Sequence, residues 1–347
     1  MPVTRITTRP LRIAVIGAGH WGPNLIRNFH NHQTSVVAWV VDRDESRLAL
    51  TRGRHPDIRL GADPAAPLAD PAVDAVIVAT PTMTHHQLAA AALRAGKHVL
   101  VEKPMATTAA AADELCDLAA RHGLVLMVGH VFLFNAGIRH IKEHLGGGRL
   151  GRVFYLSMVR TNLGPIRMDV NAAWDLAAHD VSIANYWLDA VPSHAAAQGG
   201  CWINPGIEDA VFATLWYPGE VIAHLQVSWL SPRKVRDITV VGEEGMLTFD
   251  DMNLSEPIRI YDKRVSAERT PGFIDTFASF RTSIREGDIR IPRVALGEPL
   301  KAECDHFVEC IATGATPLAD GRSGAGAVRA LAAMARSMAN AGRREEV

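Results

Sequence analysis

The sequence predicts an α/β chain in two parts: a doubly wound parallel sheet over residues 1–130, then an α+β domain on a mostly antiparallel open sheet over 131–347. Three observations predict it. The first part alternates short apolar runs with segments whose apolar residues recur at helical spacing. Those runs stop at residues suited to ligands, namely a glycine turn after Ile16, then Asp42, Thr80 and Glu102. Beyond about residue 135 the pattern becomes strands of alternating polarity joined by short turns such as Pro218-Gly219-Glu220. A length of 347 residues is enough for two domains, each with its own core.

The first strand, Ile13 to Ile16, breaks into Gly17-Ala18-Gly19-His20-Trp21-Gly22, after which Leu25, Ile26 and Phe29 mark a helix. Gly17 allows a tight turn, Gly19 lets a pyrophosphate approach the backbone, and Gly22 lets the helix pack closely on the strand. His20 and Trp21 lie within the same turn. A second strand, Val36 to Val41, ends in Asp42, near the position expected of the acid that binds an adenosine ribose. This pattern is the Rossmann fingerprint. An acid there favours NAD, while Arg43 keeps NADP open because an arginine can meet a 2′-phosphate.

A helix over 44–56 and a short strand over 58–63 follow. The fourth strand, Ala75 to Ala79, stops at Thr80-Pro81-Thr82-Met83-Thr84-His85-His86, and a helix then runs through Leu93 to Gly96. Strand Val99 to Val101 delivers Glu102-Lys103-Pro104, a helix spans Thr107 to His122, and a sixth strand falls within 124–134. Ligands collect outside the carboxyl ends of such strands, which places Thr80, Pro81, Thr82, His85, Glu102 and Lys103 beside a dinucleotide.

A linking helix over 135–145 ends at Gly146-Gly147-Gly148. Strands then read over 152–160, 210–218, 221–230, 236–242 and 246–251, and helices return over 299–314 and 324–342. In the strand over 221–230, Val221, Ala223, Leu225, Val227 and Trp229 share one face, while His224, Gln226 and Ser228 share the other.

With 36 basic against 37 acidic residues, the chain has no global field to draw nucleic acid or an anionic membrane. Cys116, Cys201, Cys304 and Cys310 lack metal-ligand spacing and disulfide density, which suggests a cytoplasmic setting without structural zinc. Residues 1–10 carry Arg5 and Arg9 but no apolar core of a signal peptide, and no apolar run approaches the ~18 residues of a membrane span.

Three groups can do chemistry. Lys103 stands at a strand end where the reactive ring of the cofactor should reach. Asp175 and His179, after Trp174, are four residues apart on an expected helix, which suits a carboxylate orienting an imidazole base and equally an ordinary surface pair. Arg160, Asn162 and Asn171 read either as partners for sugar hydroxyls or as loop residues. The pairs His30/His32 and His85/His86 lack a third ligand, so no metal is expected.

GAGHWG, ATPTMTHH, VEKP and the pair Asp175/His179, in this order and spacing, resemble the Gfo/Idh/MocA oxidoreductases over nearly the whole chain. Segments 21–29, 162–180 and 206–215 resemble the branch of nucleotide-sugar 3-dehydrogenases. The resemblance implies that Lys103 polarises the reacting oxygen, that His179 takes its proton as hydride leaves for the nicotinamide, and that Asp175 orients His179. Trp174 and His179 would then border the sugar. The family's open sheet packs against another subunit, which implies a homodimer or homotetramer. The chain departs from many relatives in having Phe132-Leu133 where they carry an arginine pair, and VNAAWDL before the helix where they are rich in glycine. Both segments border the substrate, so a nucleotide sugar and a glycoside such as an aminoglycoside both fit. The same residues would serve an NADPH-dependent ketosugar reductase or an NAD-dependent glycosidase, whereas a regulator that only binds a dinucleotide would not need Lys103, Asp175 and His179 together.

Overall fold

The computed structural model describes residues 9–265, 284–285 and 287–347; the amino-terminal segment read above for targeting lies, up to residue 8, outside them. Two compact units emerge. One takes the chain up to Asn135 together with Gly297–Ala332, the other Ala136–Leu296 with Ala333–Val347.

In the first unit β1 (Leu11–Ile16), β2 (Ser35–Val41), β3 (Arg59–Gly61), β4 (Ala75–Val78), β5 (His98–Glu102) and β6 (Leu126–Gly129) form a six-stranded sheet in the order β3-β2-β1-β4-β5-β6. Every pairing is parallel. Ile13, Ala14, Val15 and the whole of β4 are completely buried, as continuous apolar strands must be when helices cover both faces. Those helices include α1 (Gly22–His30), α2 (Glu45–Arg54), α3 (Ala65–Ala69), α4 (His85–Arg94) and α5 (Ala109–His122). Their ends follow local chemistry: Asp44 and Thr108 cap α2 and α5 by accepting from Ser46 N–H and Ala111 N–H, and left-handed Gly123 ends α5.

The sixth strand is shorter than its apolar run, because Val131–Phe134 turns into a 3-10 segment. The first unit also continues past the boundary expected at residue 130. The helix Pro299–Thr313 packs on α1 through an edge-to-face contact of Phe307 with Phe29, ring centroids 6.2 Å apart. The apolar side of α1 packs on β1 and β2, and this distant helix covers the part of it around Phe29.

The second unit holds α6 (Ala136–Gly146), α7 (Ala178–Leu188) and a nine-stranded sheet. Its strands are β7 (Val153–Leu163), β8 (His194–Gly200), β9 (Ala210–Trp216), β10 (Ile222–Ser228), β11 (Leu230–Gly242), β12 (Met246–Asp250), β13 (Ile258–Tyr261), β16 (Ile289–Arg290) and β17 (Glu345–Glu346), while β14 (Arg264–Val265) and β15 (Ile284–Arg285) make a separate ribbon. The order is β16-β13-β12-β11-β7-β10-β9-β8-β17, antiparallel except that β10 runs parallel to β7. Ala223, Leu225, Val227 and Trp229 are buried and His224 is exposed, as the alternation predicts. Among the described residues the chain continues with helices α8 (Pro299–Thr313) and α9 (Gly321–Ala339), the latter running from the first unit into the second.

Candidate active site

The glycine turn forms as expected. A Cβ on Gly17, whose φ is +103°, would lie 2.4 Å from the carbonyl oxygen of Ala79, and one on Gly22 would lie 2.1 Å from that of Gly17. No other residue fits either position. At Gly19 such a Cβ would meet, among the described residues, just the side chain of Arg47, 3.4 Å away at Nη1, so the backbone is open to a phosphate. Asp42 accepts from Ala18 N–H at 2.7 Å through one oxygen and from Asp44 N–H at 2.9 Å through the other. Arg47 Nη1 lies 3.5 Å from the oxygen that accepts Ala18 N–H, and the other oxygen keeps a lone pair for a ribose hydroxyl, so the residues present fit an adenosine dinucleotide. Arg43 is exposed. Beside this turn a cleft of about 290 Å³ is lined by Gly19, His20, Arg47, Thr51, Arg54 and His55.

Around Lys103 the surroundings are unusual. Trp21, from the glycine turn, donates to Glu102, whose other oxygen Oε1 is buried and without a hydrogen-bond partner. Burial pushes the Glu102 carboxyl up to about 7, against the pull of the Lys103 ammonium. His130 is buried, and desolvation with the Lys103 charge holds it down at about 3, so it stays neutral. Glu303 of α8 is completely buried with neither carboxyl oxygen hydrogen-bonded, and burial with the nearby Glu102 charge raises it well above the carboxylate range. Glu303 and His130 escape a sequence reading. Each looks like an ordinary helix or strand-end residue until the fold encloses it.

His85, read as a cofactor neighbour, is buried. Its Nδ1 lies 2.8 Å from Pro104 O and its Nε2 2.8 Å from Thr80 O, so the ring ties the end of β4 to the turn after Lys103. Thr80 and Thr84 share a hydroxyl contact of 2.7 Å, Thr84 donates to Pro81 O, and Thr82 is buried.

In the second unit, Trp174 and Asp175 fall in a π-helical turn, Ala173–Ala177, that runs into α7 with His179 in its first turn. The expected α-helix is therefore replaced at this point by a wider π turn with i→i+5 hydrogen bonds, a departure that frequently marks functional sites. Asp175 accepts from Arg167 Nη1 and from the indole Nε1 of Trp229, both at 3.1 Å. Neither partner is evident from sequence, since Arg167 precedes the helix in a loop and Trp229 reads simply as core. Asp175 and His179 are both half-buried.

The three polar residues read as one group have separate partners. Arg160 donates twice to Oδ1 of Asp180, at 2.9 and 2.7 Å, in a buried pair that fastens β7 to α7. Burial raises the Asp180 carboxyl against that pairing. Asn162 donates to Gly164 O, and Asn171 donates to Glu208 at 2.7 Å while accepting Trp174 N–H at 3.1 Å. Among the described residues no cluster of three potential ligands could hold a metal ion, and no helix is long and apolar enough to cross a membrane. The four cysteines are free thiols.

Residues 11–130 match the family model described as oxidoreductase family, NAD-binding Rossmann fold, and residues 138–248 match the GFO/IDH/MocA C-terminal domain. The chain is 29% identical over 322 residues to inositol 2-dehydrogenase 2 of Saccharopolyspora erythraea, covering 88% of this chain and 94% of that protein. It is 27% identical over 320 residues to UDP-N-acetylglucosamine 3-dehydrogenase of Acidithiobacillus ferrooxidans, covering 90% and 93%. The solved structure of that 3-dehydrogenase superposes with a TM-score of 0.78 at 26% identity, over 94% of this chain and 98% of the other. Aldose-aldose oxidoreductase from Caulobacter crescentus shares the fold, with a TM-score of 0.81 at 21% identity over 98% of this chain and 100% of that one. The glycine turn, the lysine at the end of β5, the open sheet and these matches lead to one conclusion: the chain belongs to the Gfo/Idh/MocA family and is an NAD-binding oxidoreductase.

Proposed function

We propose that the protein oxidises a secondary ring hydroxyl of a sugar, at C3 of a nucleotide sugar or glycoside, with NAD as hydride acceptor. The observation that carries this reading is the setting of Lys103. Its ammonium stands at the carboxyl end of β5 between an enclosed carboxyl, Glu102, and an imidazole held neutral, His130. A cation so placed lowers the energy of an alkoxide forming on the reacting carbon. His179 would take the hydroxyl proton, and Asp175, anchored by Arg167 and Trp229, would fix the helix that carries it. When bound, the nicotinamide supplies the hydride acceptor; Gly17, Gly19, Gly22 and Asp42 would hold its dinucleotide.

A cyclic polyol is the second reading, favoured by the likeness to an inositol 2-dehydrogenase over 88% of the chain. Incubation with NAD and a panel of nucleotide sugars, glycosides and inositols, followed by absorbance of the reduced cofactor, tests both. Reduction with a nucleotide sugar or glycoside supports the first reading and reduction with inositols alone the second. Reduction with none of them overturns the reading as a dehydrogenase. The open face of the large sheet exposes Tyr155, Phe212 and Ile222 beside His224, which supports assembly as a homodimer or homotetramer.

A further inference from the structure

The loop between β8 and β9, residues 201–209, carries two exposed apolar side chains, Trp202 at 65% and Ile203 at 54% of full exposure. Single exposed apolar residues are ordinary, but these two are held in place at a cost. Asp209 is completely buried; its Oδ2 accepts from Trp202 N–H at 2.6 Å and Ile203 N–H at 2.8 Å, while its Oδ1 is buried with no hydrogen-bond partner. A buried carboxylate left half-satisfied is expensive, so the loop shape is enforced rather than incidental. The Trp202 ring also lies against Gly200, where a Cβ would come within 2.3 Å of it. It is thus braced on one side and open on the other.

The same loop is stitched to Asp175. Glu208 accepts from Asn171 Nδ2 at 2.7 Å and, through its carbonyl, from Ala172 N–H at 2.9 Å, and the carbonyl of Asn171 accepts from Asp175 N–H at 3.0 Å. On the other side Trp229 N–H donates to the carbonyl of Asp209 at 3.0 Å while its indole donates to Asp175. Two short chains of hydrogen bonds therefore tie the loop that carries this braced aromatic face to Asp175, one ending at its backbone N–H and the other at its carboxylate.

We propose that Trp202 is a specificity-determining residue: its open face stacks on the heteroaromatic base of a nucleotide sugar whose ring hydroxyl reacts beside Asp175 and His179. This rests on the nucleotide-sugar reading above. Every base offers a flat π-face, and stacking on a fixed indole loses little conformational freedom on binding.

The test uses the full-length protein with UDP as probe, together with a nucleotide sugar and the matching sugar 1-phosphate as substrates. UDP should quench emission in the wild type by an amount that disappears in Trp202→Phe. Trp202→Ala should raise KM for the nucleotide sugar roughly 10-fold, leave KM for the sugar phosphate and NAD affinity unchanged, and leave kcat within about twofold. Trp202→Phe should retain most of the affinity. Equal effects on both substrates, no effect on either, or quenching identical in wild type and Trp202→Phe would overturn the role. Quenching without any turnover of nucleotide sugars would retain the stacking face and sink the dehydrogenase reading instead.

Discussion

Nδ1 of His85 lies 2.8 Å from the carbonyl oxygen of Pro104, and the opposite ring nitrogen lies as close to the carbonyl of Thr80. A carbonyl oxygen only accepts and a neutral imidazole donates through one nitrogen, so the ring hydrogen-bonds one of these carbonyls at a time while packing against the other, and it sits between two strand ends of the cofactor-binding sheet. His85→Ala should lower stability by about 1–3 kcal/mol, because a buried carbonyl loses its donor, and should reduce kcat by loosening the turn of Lys103. Thermal unfolding and steady-state kinetics check this. Weaker NAD binding with unchanged stability would show instead that the ring serves the cofactor directly.

The glycines separate folding from binding. Gly17→Ala forces a Cβ to within 2.4 Å of backbone at Ala79 and should destabilise the fold, whereas Gly19→Ala meets only the movable Arg47 side chain. Gly19→Ala should therefore unfold within a few degrees of the wild type yet bind NAD at least about 10-fold more weakly, since the added methyl occupies the approach of the phosphates. Calorimetry on both variants decides the point.

Asp42 performs two tasks, bracing the glycine turn through Ala18 N–H and offering a lone pair to a ribose. Asp42→Ser should narrow the preference for NAD over NADP and also cost about 1 kcal/mol of stability as the brace is lost. Titration calorimetry on the wild type would reverse the assignment if NADP bound more tightly; Arg43 and the Arg47-lined cleft would then govern selection.

Glu102 gives stability a pH slope of known sign. Its folded-state pKa, about 7, lies above the ordinary 4.5, so the folded protein holds a proton that the unfolded chain has released. The protective contribution is complete below about 4.5 and is lost as pH rises to 7, amounting to up to about 3 kcal/mol. Denaturant unfolding of wild type and Glu102→Gln across that window should diverge accordingly. Parallel pH profiles would mean that the carboxyl is already ionised at low pH.

Lys103→Ala and His179→Ala should each lower kcat by 100-fold or more, on the order expected for loss of acid–base or electrostatic assistance, with little change in NAD affinity. Oxidation by the wild type should slow in acid, as a protonated imidazole cannot accept a proton, and His179→Ala should lose that limb. Near-normal turnover of His179→Ala would transfer the role to Lys103. Arg167→Gln should act through Asp175, lowering kcat more than it changes KM.

The Rossmann unit was legible because its signals are local: Gly17, Gly19, Gly22 and Asp42 stand within one βαβ segment, and β4 reads as a strand from four consecutive apolar residues. β8 was not legible, since between His194 and Gly200 there are only alanine, glycine and Gln198, with no β-branched residue, and its strand state comes from pairing with β9. At the candidate site the same division holds. Lys103, Asp175 and His179 could be named from spacing, but the partners Trp229 and Glu303 come from far along the chain. Their chemistry appears only once tertiary structure encloses them.

The return of α8 to the first unit sets a timetable for synthesis. The dinucleotide sheet is complete at Gly129, but the helix whose Phe307 covers Phe29 begins at Pro299, after the intervening strands have been made. At ~5–20 residues per second, a ribosome needs on the order of 10–30 s to reach it. During that interval an apolar face of α1 lies open on an otherwise finished sheet, so a nascent chain stalled before residue 299 is a natural client for chaperones.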